Sequence, residues 1–115
     1  MNDELKTLKS LADPVRLRII MLLRSGEMCV CDLTRVLELP QSTISRHMAR
    51  LKSDGLVASR RQARWIHYRL PDAGDTHLAT LEPFLANIAT KQPYATDHNR
   101  LRSGSDNSCR PASQE

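Results

Sequence analysis

The sequence predicts one mainly α-helical domain of the α+β class, with about five helices and a single two-stranded β-hairpin. Apolar residues recur at intervals of three and four through most of the first 54 positions, which is the period of a helix packed on one side. Residues 64–70 instead alternate apolar and polar side chains, as a half-buried strand does. A chain of 115 residues with 40% hydrophobic composition has room for one core.

Two helices are predicted before residue 26. Leucines recur every third position in residues 5–11 and indicate a short amphipathic helix. Asp13 and Pro14 then supply a helix cap and a proline suited to the first helical position, and an apolar stripe runs from Val15 towards the terminating Gly26. Because further faces are apolar too, this second helix is predicted to lie at the centre of the core.

The next two predicted helices form a helix-turn-helix. Apolar spacing indicates a helix over residues 29–37, a turn at Pro40 and a second helix over residues 41–54, which Gly55 ends. The inward stripe of the second helix comprises Ile44, Met48 and Leu51. Its outward face is polar and basic, which is typical of a recognition helix that enters the major groove of DNA.

A basic hairpin follows the recognition helix. Its predicted strands are residues 56–60 and 64–70, with residues 61–63 at the tip. A hairpin in this place is typical of a wing that contacts phosphates or the minor groove. The predicted architecture is therefore a winged helix-turn-helix.

A last helix is predicted over residues 75–91, in which Pro83 should produce a kink or mark the true start. We assign residues 1–91 to one DNA-binding and dimerisation domain. The remaining residues, 92–115, are rich in Ser, Asn, Asp, Arg and Gly and predict a flexible tail that carries Cys109.

Positive charge is concentrated between residues 41 and 69. This segment holds seven Arg and Lys against one acid, whereas the whole chain has a formal charge of +4. Counterion release from phosphates favours such a patch, so double-stranded DNA is the expected partner, although a merely solvated basic face has the same charge. The candidate DNA-binding residues are Gln41, Ser42, Thr43, Ser45, Arg46, His47 and Arg50 on the recognition helix, and Arg60, Arg61 and Arg64 in the hairpin.

The sequence argues against several other classes of protein. It has no run of about 18 apolar residues and no signal-peptide pattern after Met1, so we expect a cytoplasmic protein without membrane contact. We find no paired carboxylates, Cys/His dyad or Gly-rich phosphate loop, so we expect no enzyme activity.

Four motifs occur in a distinctive order: residues 11–19, the run Cys29-Val30-Cys31-Asp32-Leu33, residues 45–48 and residues 65–70. Together they resemble the ArsR/SmtB family of metalloregulatory repressors, and most of all its arsenic-responsive branch. The resemblance implies a homodimeric winged helix-turn-helix on a palindromic operator. It also implies that trivalent arsenic or antimony, As(III) or Sb(III), is the inducer that releases the protein from DNA.

Dimerisation is also expected from the first and last predicted helices, whose apolar stripes a single small core would struggle to cover. Pairing them across a two-fold axis would bury both stripes and set two recognition helices about 34 Å apart. The alternative is that these helices cap a monomeric core.

Cys29 and Cys31 are the candidate metal ligands, because soft trivalent arsenic and antimony select thiolates over oxygen donors. Residues at i and i+2 of a helix point about 200° apart, so binding both sulfurs to one ion should distort the helix start and displace the recognition helix. The helix N-terminus should also lower the pKa of these thiols.

In the arsenic-responsive members of the family that this chain resembles, a third cysteine stands at the position of Thr34. The chain therefore needs a third thiolate from elsewhere to match their three-sulfur site. Cys109 is the only other cysteine in the sequence. The 17 residues from 92 to 108 form a tether that spans about 23 Å, so Cys109 is the candidate third ligand, from the same subunit or its partner.

Several alternative interpretations fit the same residues. The site can be a two-thiolate centre for a monomethylated arsenical, or one completed by a small-molecule thiol. The chain can also be another metal sensor, or a metal-independent or thiol-redox regulator with a buried cysteine pair. A zinc site like that of the zinc-sensing branch is half missing, because Asp75 and His77 are present but Ile88 and Lys91 occupy the other two positions.

Overall fold

The computed structural model describes residues 3–71 and 77–103. Within these ranges the chain is mainly α-helical with a small antiparallel sheet, which confirms the predicted fold class. The elements are α1 (Asp3–Leu11), α2 (Pro14–Leu23), β1 (Met28–Cys29), α3 (Val30–Leu37), α4 (Gln41–Ser53), β2 (Ala58–Gln62), β3 (Trp65–Arg69), α5 (Leu78–Ile88) and α6 (Tyr94–Ser103).

Helix α2 lies at the centre of the core, as predicted. Asp13 caps it, because its carboxylate accepts hydrogen bonds from the backbone N–H groups of Val15 (2.9 Å) and Arg16 (3.0 Å). Ile19 and Ile20 are fully buried, and the helix contacts α1, α4 and α6. Each aliphatic side chain of this size contributes about 1.5–3 kcal/mol on burial, so α2 is the main apolar anchor of the fold.

Helices α3 and α4 form the helix-turn-helix. The predicted inward residues of α4, Ile44, Met48 and Leu51, are fully buried. The turn between the two helices begins at Glu38, which adopts a left-handed conformation (φ 59°, ψ 43°) and donates its N–H to the Thr34 carbonyl. The recognition helix is therefore fixed by its apolar face on one side and by this short turn at its start.

The sheet has a third strand that the sequence did not predict. Its order is β1-β3-β2, and β1 pairs Cys29 with His67 of the hairpin. In the hairpin, β2 extends to Gln62, which lies opposite Trp65, so the tip is residues 63–64 rather than 61–63. Ala63 there has a left-handed φ of 56°, a conformation that favours glycine.

Helix α5 begins at Leu78 and continues through Pro83, so the proline does not mark its start. The first residues of the predicted helix, including Asp75, lie outside the described residues. Leu78, Leu85 and Ile88 are buried along one side. None of the described helices is long and apolar enough to cross a membrane.

Residues 94–103 form helix α6, so the prediction of a flexible tail is wrong for this segment. Asp97 lies on this helix with 2% of its surface exposed, and both of its carboxylate oxygens accept hydrogen bonds from Arg18 of α2 (2.8 and 2.7 Å). Because α6 is anchored largely by charged side chains, its sequence lacks a strong apolar period. Residues 104–115, and Cys109 with them, lie outside the described residues.

Candidate DNA interface and thiol site

The outward face of α4 carries the predicted DNA-contacting residues. Gln41, Ser42, Ser45, Arg46 and Arg50 are exposed, while Thr43 and His47 are half-buried. The Arg50 guanidinium forms an ion pair with Asp54 one turn further along the helix (Nε to Oδ2, 2.8 Å). The face therefore presents hydroxyl, amide and guanidinium groups, which can donate to base edges or phosphates.

His47 is oriented by residues that the sequence reasoning missed. Its Nδ1 lies 3.3 Å from the Arg16 guanidinium and 3.8 Å from the Asp13 carboxylate. The Arg16 side chain also donates to the Ser10 carbonyl (2.7 Å), so it joins the α1–α2 junction to α4. His47 thus belongs to a cluster at the N-terminal end of α2, which no local pattern in α4 reveals.

The Asp13 carboxyl in this cluster has a lowered pKa. Burial alone would raise it, but the backbone hydrogen bond from Arg16, the Arg16 charge and His47 together outweigh burial. Asp13 is consequently held ionised as both a helix cap and an anionic neighbour of His47.

The three hairpin arginines have different environments. Arg61 and Arg64 are exposed. Arg60 forms two parallel hydrogen bonds with the Glu27 carboxylate (2.8 and 2.7 Å), and these hold the pKa of Glu27 below its ordinary value. Arg60 therefore fastens the wing to the segment that leads into β1.

The two predicted thiol ligands lie on different elements. Cys29 is the last residue of β1 and the N-cap of α3, with extended backbone angles (φ −82°, ψ 165°), whereas Cys31 lies in the first turn of α3. The expectation that both cysteines lie on one helix is therefore wrong. Because the backbone of Cys29 is extended and only Cys31 is helical, the 200° angle expected between i and i+2 of a regular helix does not apply to this pair.

Cys29 is almost completely buried, with 1% of its surface exposed. Its thiol lies 3.5 Å from the Asp32 carboxylate, which is itself buried. Burial raises the pKa of the Cys29 thiol, and the nearby negative charge of Asp32 raises it further. The predicted lowering of the thiol pKa by the helix N-terminus is therefore wrong for Cys29, because burial outweighs the backbone hydrogen bonds from Asp32 and Cys31 that lower this pKa.

Thr34 occupies the position of the missing third cysteine. Its hydroxyl donates to the Cys31 carbonyl (2.9 Å), so it serves as a local helix contact. Within residues 3–71 and 77–103, no group of three or more His, Cys, Asp and Glu side chains is placed to hold a metal ion. His77 lies at the start of α5, and its predicted partner Asp75 falls outside these ranges. The described part of the site thus offers two cysteine sulfurs: Cys29 carries a free thiol, whereas Cys31 is disulfide-bonded.

Comparisons with known proteins agree with this geometry. A family model described as bacterial regulatory protein, arsR family, matches residues 13–59, from the α2 cap to β2. The structure of HlyU from Vibrio cholerae is 35% identical with a TM-score of 0.64, and the match covers 72% of this chain and 90% of HlyU. The chain belongs to the ArsR family.

Other similar proteins include an arsenical resistance repressor and a homodimeric winged helix-turn-helix domain. The arsenical resistance operon repressor of Escherichia coli is 52% identical over 63 residues, which are 54% of this chain and 54% of that protein. Mb0332 of Mycobacterium bovis, described as a homodimeric winged helix-turn-helix DNA-binding domain, is 30% identical with a TM-score of 0.65, over 75% of this chain and 80% of that one. This chain spans about half the length of the arsenic-resistance regulators that it matches.

The comparisons confirm the predicted family, and the similarity includes its arsenical-resistance branch. They also bear out the prediction that the chain is no enzyme, because the family and its matched members are transcriptional regulators.

Proposed function

We propose that this ArsR-family chain represses transcription by binding a palindromic operator as a homodimer, and that trivalent arsenic or antimony releases it by binding cysteine thiolates. The observation that carries the proposal is the position of Cys29 and Cys31 at the junction of β1 and α3. This junction adjoins the first helix of the helix-turn-helix and is paired through Cys29 with wing strand β3. A ligand bound there can alter both DNA-contacting elements.

DNA recognition rests on the exposed face of α4. Arg46 and Arg50 can reach guanine edges, and Gln41 can pair with adenine. The short hydroxyl side chains Ser42, Thr43 and Ser45 suit phosphates near the helix start, and His47 can contribute its ring Nε2 while Nδ1 faces Arg16. In the wing, Arg61 and Arg64 suit phosphates, whereas Arg60 must first leave Glu27.

Homodimerisation through α1 and α5 is supported by apolar side chains that the single chain leaves exposed. Leu5 and Leu8 of α1 are 45% and 53% exposed, and Phe84 of α5 is 54% exposed. Covering them with a second copy would remove apolar area from water on both helices. The predicted "last helix" of the interface is α5, because α6 packs on α2 and α3 of its own chain.

Release requires a change at the β1–α3 junction. Cys31 is disulfide-bonded in this structure, so a small-molecule thiol must first reduce that bond and is itself oxidised to a disulfide. Each arsenic–sulfur bond then replaces an arsenic–hydroxyl bond, and the thiol proton leaves with that hydroxyl as water. Cys29 must turn out of its buried position beside Asp32 to share an ion with Cys31. That movement disturbs the N-cap of α3 and the pairing of Cys29 with His67, and so displaces the elements that contact DNA.

Cys109 is the proposed third ligand. It follows Ser103, the last residue of α6, by six residues, and an extended chain of that length spans about 20 Å. Because α6 packs against α3, this shorter tether favours the thiol site of the same subunit. A two-thiolate site for a monomethylated arsenical is the competing proposal, since two sulfurs satisfy an arsenic that carries one methyl group.

A titration of the DNA complex with inducer tests the function. Operator release is followed by fluorescence anisotropy with arsenite, methylarsenite, zinc and cadmium in turn. Cys29→Ser and Cys31→Ser should bind DNA but resist release by arsenite, and Cys109→Ser should resist arsenite while still responding to methylarsenite. Undiminished arsenite release in both Cys29→Ser and Cys31→Ser would contradict the proposal. Release by peroxide in place of arsenite would favour a thiol-redox regulator instead.

A further inference from the structure

The C-terminal ends of α3 and α6 meet and are joined by two arginines. Arg100 of α6 donates to the Val36 carbonyl near the end of α3 (3.1 Å). In return, Arg35 of α3 donates to the Arg100 carbonyl in the last turn of α6 (3.1 Å). Carbonyls at helix C-termini lack intrahelical partners and carry partial negative charge, so each guanidinium stabilises the end of the other helix.

The sequence explains why the Val36 carbonyl needs a hydrogen-bond donor from another helix. In a continuing helix its carbonyl would accept from the N–H four residues later, and that residue is Pro40, which has no N–H. Arg100 supplies the hydrogen bond that Pro40 cannot. The proline that ends α3 therefore creates the acceptor that α6 satisfies.

Arg100 also reaches the turn between α3 and α4. Its guanidinium lies 3.5 Å from the Glu38 carboxylate. Glu38 has the left-handed conformation that side-chain-bearing residues adopt rarely, and it begins the three-residue connection to Gln41. Arg100 thus contacts groups on both sides of the point where the chain leaves α3.

Helix α6 is also held to the core by an ion pair with α2. The Arg18–Asp97 pair ties it to α2 through two hydrogen bonds, with Asp97 fully enclosed. Helix α2 in turn packs against α4. Asp97 lies one helical turn before Arg100, so the core of the domain helps to set the position of Arg100.

We infer that Arg100 is a positioning residue for DNA recognition: by holding Val36 and Glu38 from α6, it sets the direction in which α4 leaves the turn. The inference rests on the operator-binding part of the proposed function and is independent of the inducer. It assigns to α6 a role in operator affinity, although α6 follows the segment that matches the arsR family model.

The test compares operator binding and thermal unfolding of the full chain and its Arg100 variants. The probe is a labelled duplex that the wild-type protein selects from a random-sequence library. Arg100→Ala should weaken binding about fivefold, while Arg100→Lys, which still donates to Val36, should restore most of the affinity. Lys91→Ala is the matched control, because it removes an exposed positive charge just before α6 and should leave affinity unchanged.

The salt dependence of binding distinguishes positioning from direct contact. If Arg100 acts through the turn, the slope of log affinity against log salt should equal that of the wild type. A slope smaller by about 0.9 for each Arg100 in the complex would show a phosphate contact and overturn the inference. Wild-type affinity in Arg100→Ala, with only a lower melting temperature, would also overturn it.

A measurement without DNA separates this inference from the proposed function. Backbone amides of residues 38–39 and 41–42 should exchange with solvent faster in Arg100→Ala than in the wild type, since the turn loses its support. Unchanged exchange there would refute the role of Arg100 even if the wild type bound no operator. Absence of operator binding by the wild type, together with faster exchange, would contradict the proposed function alone.

Discussion

Replacing Asp97 with alanine tests how much the buried ion pair between α2 and α6 stabilises the domain. The substitution leaves the Arg18 guanidinium without the carboxylate that accepts two of its hydrogen bonds. Removing one partner of a fully buried pair costs about 3–5 kcal/mol. Arg18 remains 21% exposed, so water can partly rehydrate it, and we expect a loss of about 2–3 kcal/mol.

Urea unfolding followed by far-UV circular dichroism measures this loss at a fixed protein concentration, because dimerisation makes stability depend on concentration. For a domain of this size the expected loss lowers the melting temperature by about 8–20 °C. Glu82→Ala is the matched control: it removes the partner of Arg24 in an exposed ion pair and should cost less than about 0.5 kcal/mol.

A second variant identifies the origin of the loss. The double substitution Arg18→Met with Asp97→Leu removes both charges together, and it should be less destabilised than Asp97→Ala alone because no uncompensated charge is left. An unfolding free energy of Asp97→Ala within about 0.5 kcal/mol of the wild type would refute the argument that this pair anchors α6.

Three further predictions concern other parts of the molecule. Thr34→Cys places a third thiol one helical turn after Cys31, so arsenite should release it from DNA even in a Cys109→Ser background; an anisotropy titration that shows no release would count against the thiol site. Ala63→Gly should raise the free energy of unfolding by about 0.5–1 kcal/mol, because glycine accepts the positive φ at the wing tip without strain, and a lower urea midpoint would disprove that. Asp13→Ala should cost about 1 kcal/mol at neutral pH through the lost helix cap. Since the folded pKa of Asp13 is lowered, its contribution is complete above the ordinary value of 3.8 and is lost as pH falls through the lower folded pKa, so acid unfolding curves of wild type and variant should converge there.

Local periodicity was sufficient to predict the elements that pack by apolar faces. Helix α2, with its Asp13 cap, and the buried stripe of α4 follow directly from spacing, because each is determined within one or two helical turns. The outward face of α4 follows for the same reason. The basic segment and the cysteine pair then point to DNA and to thiophilic ligands.

The features that the sequence did not reveal depend on distant partners. Strand β1 has two residues and exists because Cys29 pairs with His67, which no local period can indicate. Helix α6 is stabilised by Asp97 bonding to Arg18, 79 positions earlier in the chain. The raised pKa of Cys29 likewise comes from burial by the folded chain, whereas the expected effect of the helix N-terminus depends only on residues nearby in the sequence.

The Arg60–Glu27 pair has a consequence for how the wing would contact DNA. Arg60 can contact a phosphate only by giving up a carboxylate that already holds it in two hydrogen bonds, so the net gain is the difference between two ion pairs. Added salt weakens both pairs alike, since both are exposed to solvent. Arg61 and Arg64 should therefore account for most of the wing's share of the salt dependence of binding, and a count of phosphate contacts taken from the number of wing arginines would be too high. Glu27 acts as an internal competitor of the DNA backbone.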